Sequence, residues 1–273
     1  MKTNSVLIVG CGDLGIRVAG LLAPDRWQVT GVRRQVRALP EGICGYAADY
    51  TVPGALDFIE GLAPDYVLAV FNPTQRSVEG YQAGFAAAMR GLVAGLGEHR
   101  PRHILACSST RVLAEQGGGW VDEDSPLAVD EPRAAAMIDM EQALLTSGLS
   151  ASVVRFAGIY GAAGGRLVNR IARGELCGPE PVRYSNRIHR EDCAGFLAHL
   201  LGLVDSGQSL CPVYLGVDDE PAPQYEVEQW LAGELGVEMQ AVVASQGGPR
   251  ANKRCRNDLL RATGYQLRYP DYR

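Results

Sequence analysis

The segment VLIVGCGDLGIRVAGLL, residues 6–22, places three glycines at a spacing that narrowly limits how this chain can fold. Gly10, Gly12 and Gly15 form Gly-x-Gly-x-x-Gly between an apolar, β-branched run and an amphipathic, helix-like run. In that context the first glycine allows a tight turn, the second lets the backbone approach a pyrophosphate, and the third lets the helix pack against the strand. The helix N-terminus then offers free N–H groups to phosphate oxygens. The segment therefore predicts a dinucleotide-binding βα unit, and a purely structural turn is the alternative.

Strand-like and helix-like segments alternate through the first half of the chain. The predicted strands are 5–10, 27–32, 43–49, 66–71, 103–109 and 152–157, and the longer predicted helices are 77–96 and 132–147. This alternation is typical of an α/β doubly wound parallel sheet, the Rossmann fold, which binds ligands at the carboxyl ends of its strands. We predict that residues 1–157 form this domain and that 186–217 return to it. Residues 158–185 and 218–273 are predicted to form a small substrate-binding lobe.

The composition of the 273 residues excludes several other classes of protein. A net charge of −5 gives no bulk attraction to nucleic acid, and no apolar run reaches the roughly 20 residues of a membrane span. The 7 cysteines include no Cys-x-x-Cys and no cluster with histidine, so no metal site is predicted. With no signal-like leader, these cysteines are expected to be reduced thiols in a cytoplasmic protein.

The end of the second predicted strand, VTGVRRQVR, indicates which dinucleotide the chain prefers. NAD-binding proteins place a carboxylate there for the ribose hydroxyls, whereas this segment carries Arg33, Arg34 and Arg37. Guanidinium groups pair well with a 2′-phosphate, so we expect NADP(H), with NAD and a solvated basic loop as alternatives. Asp49 and Tyr50 are predicted to lie beside the adenine, and Asn72 beside the nicotinamide ribose. The full predicted cofactor set is Gly10, Cys11, Gly12, Asp13, Leu14, Gly15, Arg33, Arg34, Asp49, Tyr50, Phe71, Asn72 and Ser108.

Several further segments resemble those of a known family. The order of elements, CSSTRVL after the fifth strand, VVRFAGIYG after the sixth and NRIHREDCAGF beyond it resemble the extended short-chain dehydrogenase/reductases, the NAD(P)-dependent epimerase/dehydratase group. The tail KRCRNDLLRATGYQLRYPDYR resembles that of an atypical bacterial branch. The resemblance implies a Rossmann fold, a small-molecule substrate similar to a nucleotide sugar, and a homodimer formed through the two long helices. The glycine spacing departs from the family, whose extended members usually carry Gly-x-x-Gly-x-x-Gly.

The resemblance also implies a catalytic set, which this chain holds only in part. The family uses a Ser or Thr after the fifth strand, a Tyr on the next long helix, and a Lys four residues beyond the Tyr. Ser109 takes the place of the catalytic hydroxyl, with Thr110 beside it as a substrate-binding residue. The Tyr is expected near 133–134 and the Lys near 137–138, and neither residue type is present there.

The lysine count shows that the pair is missing and not displaced. The chain has two lysines: Lys2 has no residue four positions before it, and Pro249 stands four before Lys253. No Tyr-x-x-x-Lys therefore exists in this sequence. Arg133 supplies a cation near the expected place, but a guanidinium does not release a proton. Glu141 is a candidate base if it is buried, and an exposed charge on the helix face is the alternative.

Three residues of the second half complete the predicted site, and a fourth is expected to be structural. Tyr160, in GIYG, is a candidate catalytic residue at the rim of the site, with simple packing as the alternative. Asn186 and Arg187 are placed by the resemblance near a substrate diphosphate. His189 is expected to be a hydrogen-bonded structural histidine.

Besides a partner-binding subunit of another enzyme that acts through the C-terminal lobe, two functions fit these residues. The first is an NADP(H)-dependent reductase, epimerase or dehydratase with a non-standard active site, in which Ser109 orients the reacting oxygen. The second is an NADP(H)-binding sensor or scaffold that has lost catalysis, which the missing Tyr and Lys favour.

Overall fold

The computed structural model describes residues 3–162, 164–243 and 252–273, which fall into two compact units. The first unit comprises Met1–Val112, Ala128–Arg155 and Ala194–Tyr214. The second comprises Leu113–Leu127, Phe156–Cys193 and Leu215–Arg273. The predicted division differs from this one, because it places 113–127, 156–157, 186–193 and 215–217 with the nucleotide-binding domain.

The elements follow the predicted alternation and add short strands in the second half. In chain order the strands are β1 Asn4–Val9, β2 Trp27–Arg33, β3 Cys44–Ala47, β4 Tyr66–Ala69, β5 His103–Ser109, β6 Trp120–Val121, β7 Ala151–Phe156, β8 Gly158–Tyr160, β9 Glu175–Cys177, β10 Tyr184–Ser185, β11 Arg187–His189, β12 Val213–Gly216, β13 Ala222–Pro223, β14 Ala241–Val243 and β15 Arg254–Cys255. The α-helices are α1 Asp13–Leu21, α2 Ile59–Leu62, α3 Val78–Tyr81, α4 Ala88–Gly95, α5 Pro132–Leu145, α6 Arg166–Ile171, α7 Arg190–Asp205, α8 Gln224–Leu235 and α9 Asp258–Ala262. A π-helical turn, Gln82–Ala87, joins α3 to α4.

The central sheet has seven strands in the order β12-β7-β5-β4-β1-β2-β3, and the pairs between β5 and β3 are parallel. Leu7 and Ile8 of β1 and Val67 and Leu68 of β4 are fully buried, as expected for parallel strands covered on both faces. The predicted Rossmann-type α/β fold is therefore confirmed. The chain moves outward from β1 in both directions, through β2 and β3 on one side and β4 and β5 on the other. This reversal opens a crevice at the carboxyl ends of β1 and β4, where such sheets bind ligands.

A buried ion pair fixes α5 to the sheet. Arg155 of β7 donates from Nη2 to Glu141 Oε2 at 2.8 Å and from Nε to the same oxygen at 3.1 Å. Ser108 of β5 donates its hydroxyl to Glu141 Oε1 at 2.5 Å. Glu141 is 2% exposed, so the alternative that it is an exposed helix-face charge is wrong. Its carboxylate is held by a guanidinium and a hydroxyl, which accounts for its burial on an otherwise apolar helix face.

The second unit is made of short two-stranded pairings. In it, β6 pairs with β15, β8 with β11 and β9 with β14 in parallel, and β10 pairs with β13 antiparallel. The β6–β15 pairing explains why 113–127 belong to this unit, since β6 lies in that segment. A buried ion pair between Arg170 and Glu228 joins α6 to α8. Asp192 accepts hydrogen bonds from the Tyr265 hydroxyl and from two backbone N–H groups of the C-terminal segment.

None of the helices in the described ranges has the length and apolar character needed to cross a membrane. Within the same residues no group of three or more His, Cys, Asp or Glu side chains is arranged to hold a metal ion.

We predict that Glu141→Ala lowers the free energy of unfolding by about 3–5 kcal/mol, because it leaves the Arg155 guanidinium buried without its counter-ion. Urea denaturation followed by circular dichroism measures this loss. The matched control is Asp139→Ala, which removes an exposed carboxylate from the same helix and is expected to unfold like the parent. Equal stabilities of the two variants would show that the pair contributes nothing.

Candidate functional site

The turn between β1 and α1 has the geometry that a dinucleotide requires. Gly10 adopts φ +82°, and a Cβ there would lie 2.3 Å from the carbonyl oxygen of Val70, so this position requires glycine. A Cβ on Gly15 would lie 2.8 Å from Ile8 Cγ2, which is the predicted close packing of helix on strand. A Cβ on Gly12 would meet only the Gly10 carbonyl oxygen, at 3.8 Å. Neither the turn nor the packing therefore requires glycine at position 12, and its missing side chain leaves open space in front of the turn.

The N-terminus of α1 faces this space. Gly12 is the N-cap residue and provides no side-chain cap, so the first-turn N–H groups keep their donor capacity for an outside acceptor. Asp13 carries a negative charge in that turn, and Arg17 one turn later pairs with it at 3.0 Å. The pair offsets the repulsion that an unpaired carboxylate would exert on a phosphate.

A cleft of ≈ 610 Å³ runs across the carboxyl ends of β1 to β4. Its lining includes eight of the predicted cofactor residues, namely Gly10, Cys11, Gly12, Arg33, Arg34, Asp49, Tyr50 and Asn72. The lining also includes Gln35, Ala48, Thr51, Pro73 and Thr74. The other predicted cofactor residues do not line it: Asp13, Leu14, Gly15, Phe71 and Ser108. Phe71 instead packs against the ring of Tyr50 at 4.8 Å, and Ser108 binds Glu141.

Two side chains after β3 form one wall of the cleft. Asp49 accepts hydrogen bonds from the Thr51 hydroxyl at 2.7 Å and from the Thr51 N–H at 3.1 Å. The Thr51 hydroxyl holds the pKa of Asp49 below its usual value, and the nearby Arg34 guanidinium acts in the same direction. The Tyr50 hydroxyl accepts from the Asn72 N–H at 3.1 Å, which ties this wall to the segment after β4. Burial raises the pKa of Tyr50, so the phenol stays neutral as part of the wall.

A second cavity of ≈ 610 Å³ shares the segment 72–74 with the cleft. We call it the arginine pocket, and its remaining lining is Gln75, Arg76, Tyr81, Arg111 and Arg133. Arg76 follows β4, Arg111 follows β5, and Arg133 is in the first turn of α5, so the pocket lies on the β4–β5 side of the crevice. Sequence reasoning missed Arg76, Tyr81 and Arg111, since only the strand order brings their segments together.

The face of α5 that would carry a Tyr-x-x-x-Lys pair has a different chemistry here. Arg133, Met137 and Glu141 stand at i, i+4 and i+8 and so follow one face of the helix. Met137 is buried, and Glu141 is bound to Arg155 and Ser108. This face therefore presents the permanently charged guanidinium of Arg133 where the family presents a tyrosine phenol. The predicted role of Glu141 as a free base is not supported.

Ser109 and Thr110 stand where β5 ends, within the same unit as the arginine pocket. The Ser109 hydroxyl accepts a hydrogen bond from the Arg111 N–H at 3.2 Å. It is half-buried and keeps its own proton for donation, but it does not line either cavity. Thr110 begins the short helical turn 110–112 that carries Arg111, and it does not line either cavity. In the structure these two residues support the segment that presents Arg111.

The predicted site residues of the second unit make structural contacts. The Asn186 amide donates to the Lys253 carbonyl at 2.9 Å and accepts from the Cys255 N–H at 2.8 Å. Arg187 is 9% exposed and donates to the Ser185 hydroxyl at 2.5 Å. Both groups are engaged in holding the unit together, so their predicted contact with a substrate diphosphate is not supported.

Tyr160 and His189 also form part of the scaffold. The Tyr160 hydroxyl donates to the Asp271 carbonyl at 3.0 Å, and burial raises the pKa of this phenol to about 12. These contacts favour the packing alternative over a catalytic role. His189 Nδ1 accepts the Glu191 N–H at 3.2 Å, and its ring lies 3.8 Å from that of Tyr269. It is the hydrogen-bonded structural histidine that the sequence predicts.

The comparison with solved structures decides the family. A Methylobacillus flagellatus protein described as an NAD-dependent epimerase/dehydratase is 31% identical, with a TM-score of 0.81 over 99% of this chain and 95% of the other. The chain belongs to this family. A Streptomyces 3-diazoavenalumate denitrifying reductase is 27% identical over 248 residues, which are 83% of this chain and 79% of the relative. No family model matches the chain.

More distant members share the fold alone. The human epimerase family protein SDR39U1, solved with NADPH, is 19% identical with a TM-score of 0.74 over 98% of this chain and 96% of that one. MoeE5, solved with UDP-glucuronic acid and NAD, is 18% identical with a TM-score of 0.79 over 97% and 94% of the two chains.

We predict that Gly12→Ala lowers dinucleotide affinity about tenfold or more while leaving the melting temperature near that of the parent. The added methyl enters the open space in front of the turn, and no protein atom there would resist it. Calorimetric titration with NADPH and thermal melting measure the two effects. Gly20→Ala is the matched control, because a Cβ at that position of α1 meets no atom within 4 Å and the position lies outside the cleft. Unchanged binding by Gly12→Ala would contradict the placement of a pyrophosphate at this turn.

Proposed function

We propose that the chain is an NADP(H)-dependent reductase of a small molecule. The observation that carries the proposal is that one cleft is lined by both the glycine turn and the arginines at the end of β2. The glycine turn fits a pyrophosphate, and Arg33 and Arg34 provide cations near the place of an adenosine ribose. A nicotinamide cofactor is also supported by fold neighbours that were solved with NAD or NADPH.

The preference for NADP(H) follows from the charges around the ribose position. Arg34 is 78% exposed in its side chain and lies 3.9 Å from Asp49, a separation that leaves little ion-pair strength. The Asp49 carboxylate follows β3 and accepts hydrogen bonds from Thr51, so the end of β2 itself carries only the two cations. A 2′-phosphate would gain charge-assisted hydrogen bonds from the two guanidinium groups, whereas a 2′-hydroxyl would gain none of comparable strength.

We predict that the double variant Arg33→Ala, Arg34→Ala weakens NADPH binding by about 10- to 100-fold, the range for loss of hydrogen bonds to a charged group. NADH binding is expected to change little, because the hydroxyl form has no phosphate to lose. Calorimetric titration with both cofactors measures the ratio. Arg37→Ala is the control, since Arg37 is an exposed arginine of the same loop that does not line the cleft. Tighter binding of NADH than of NADPH by the parent protein would refute the preference.

The pocket residues fit the reduction of a carbonyl group. When bound, NADPH supplies a hydride to an electrophilic carbon of the substrate. Arg111 and Arg133 can stabilise the negative charge that then develops on the carbonyl oxygen, but they cannot donate a proton to it. Tyr81 is the phenol that lines the arginine pocket, and the Arg111 guanidinium lies 5.9 Å from its ring centre. We assign Tyr81 the protonation of the oxygen, after which solvent water returns the proton to the phenol.

Two kinds of substrate enter the proposal. MoeE5 was solved with UDP-glucuronic acid, which supports the nucleotide-sugar substrate that the resemblance implies. The Streptomyces relative is more similar in sequence, and its name describes a reductase of 3-diazoavenalumate, which is not a nucleotide sugar. Because Asn186 and Arg187 are engaged in structural contacts, we favour a reductase whose substrate is a small electrophile.

We predict that Tyr81→Phe lowers kcat by about 10²–10⁴-fold, the usual contribution of a positioned acid, with NADPH affinity preserved. The assay follows NADPH absorbance and product formation with a panel of aldehydes, ketones, UDP-glucose and UDP-glucuronic acid. Tyr46→Phe serves as the control, since Tyr46 of β3 stacks on Phe58 away from both cavities. An unchanged kcat in Tyr81→Phe would remove Tyr81 from the mechanism. Tight NADPH binding with no turnover on any substrate would instead support the sensor hypothesis.

A further inference from the structure

We propose that the arginine pocket binds an oxyanion of the substrate, a carboxylate or a phosphate, beside the nicotinamide end of the cleft. The assignment to a substrate depends on the proposed function, whereas the anion site itself depends only on the geometry of the pocket. The class of substrate is therefore an electrophile that carries a negative charge close to its reacting carbon.

Three guanidinium groups from three separate segments line the pocket. Arg76 comes from the loop after β4, Arg111 from the turn after β5 and Arg133 from the first turn of α5. Arg133 Nη1 donates to the Arg76 carbonyl at 3.4 Å, and Arg111 lies 5.9 Å from the Tyr81 ring centre. These contacts restrain the guanidinium groups of Arg133 and Arg111, whereas Arg76 is exposed and is contacted at its backbone carbonyl. A guanidinium held in this way suits bidentate binding of a carboxylate or phosphate better than a lysine would.

The protein's own carboxylates do not neutralise the pocket. Glu131 lies 3.4 Å from Arg111 and 3.8 Å from Arg133. The same carboxylate also caps α5 by accepting the Ala134 N–H at 2.7 Å. Within the described ranges no carboxylate lies at ion-pair distance from Arg76. Three positive charges against one negative charge leave a net charge of +2 in a concave site, which attracts an anion.

The strand order separates this anion from the phosphates of the cofactor. The glycine turn follows β1, and Arg33 and Arg34 lie at the end of β2, on the opposite side of β1 from β4 and β5. The arginine pocket shares only the segment 72–74 with the cleft, and it includes neither the glycine turn nor the arginines of β2. A dinucleotide that occupies the cleft therefore finds its own phosphate partners there. The charge of the pocket is left for a second molecule.

The experiment titrates three probes into the full-length, NADPH-saturated protein: cinnamate, its neutral isostere cinnamamide, and inorganic phosphate. We expect cinnamate or phosphate to bind and cinnamamide not to bind. Whichever anion binds the parent is expected to bind about 10- to 100-fold more weakly to each of Arg76→Ala, Arg111→Ala and Arg133→Ala. Binding of cinnamate alone identifies a carboxylate substrate, and binding of phosphate alone identifies a phosphorylated one. Arg90→Ala, which removes an exposed arginine of α4 outside both cavities, is expected to bind the same anion like the parent.

NADPH titrations of the same variants keep the two proposals apart. The three pocket variants are expected to bind NADPH like the parent, since their arginines do not line the cleft. Equal binding of cinnamamide and cinnamate, or anion binding that survives all three substitutions, would overturn the oxyanion site. Loss of NADPH affinity in the pocket variants, with competition between phosphate and NADPH, would assign the pocket to the cofactor and would also overturn it. If the parent fails to bind NADPH, the proposed function fails, and the same titrations of cofactor-free protein still decide the anion site.

Discussion

The buried ion pair between Glu141 and Arg155 is the interaction on which the site depends. It joins α5 to β7, and the Ser108 hydroxyl extends it to β5, so one carboxylate sets the position of the helix against two strands. The first turn of that helix carries Arg133, and its N-cap is Glu131. A shift of α5 along the sheet would therefore move Arg133 and Glu131 together. Among the described residues, Glu131 is the carboxylate that lies within 4 Å of the pocket arginines. Loss of either partner would leave the other charge unpaired in a low-dielectric interior, which is energetically costly. The pair is therefore an effective anchor for α5.

The same helix explains how the family's catalytic pair has been replaced. A Tyr and a Lys four residues apart would share the α5 face that here presents Arg133 and then the buried Met137. With an apolar residue in the second position, that face has no amine to assist a phenol. In the arginine pocket the cations are Arg76, Arg111 and Arg133, and the phenol among the lining residues, Tyr81, comes from α3. The chemistry of this site therefore has to be derived from the pocket and not from the family motif.

The sequence allowed the nucleotide half of the site to be predicted because its determinants are local. Gly10, Gly12 and Gly15 lie within six residues, and their spacing between a strand-like run and a helix-like run is enough to predict the turn. The arginine pocket could not be predicted in the same way, since its side chains come from segments that only the order of β4 and β5 brings together. Burial of Glu141 was equally hidden, because its partner Arg155 lies on a strand. The structural contacts of Asn186 were hidden for the same reason, since its partners Lys253 and Cys255 come from the distant C-terminal segment.

The segment 72–74 is the physical link between the two cavities. Its backbone is held from the cleft side by the Tyr50 hydroxyl, which accepts the Asn72 N–H. On the helix side it lies against the π-helical turn, where a Cβ on Gly84 would come within 2.3 Å of the Asn72 carbonyl oxygen. Tyr81 immediately precedes that turn, and π-helical turns are frequent at functional sites because they redirect side chains. Contact of a dinucleotide with Asn72 would therefore act on a segment that also borders the arginines and Tyr81. The close packing at Gly84 gives that segment little freedom to move independently of α3, so the cofactor wall and the proposed proton donor are positioned by the same backbone.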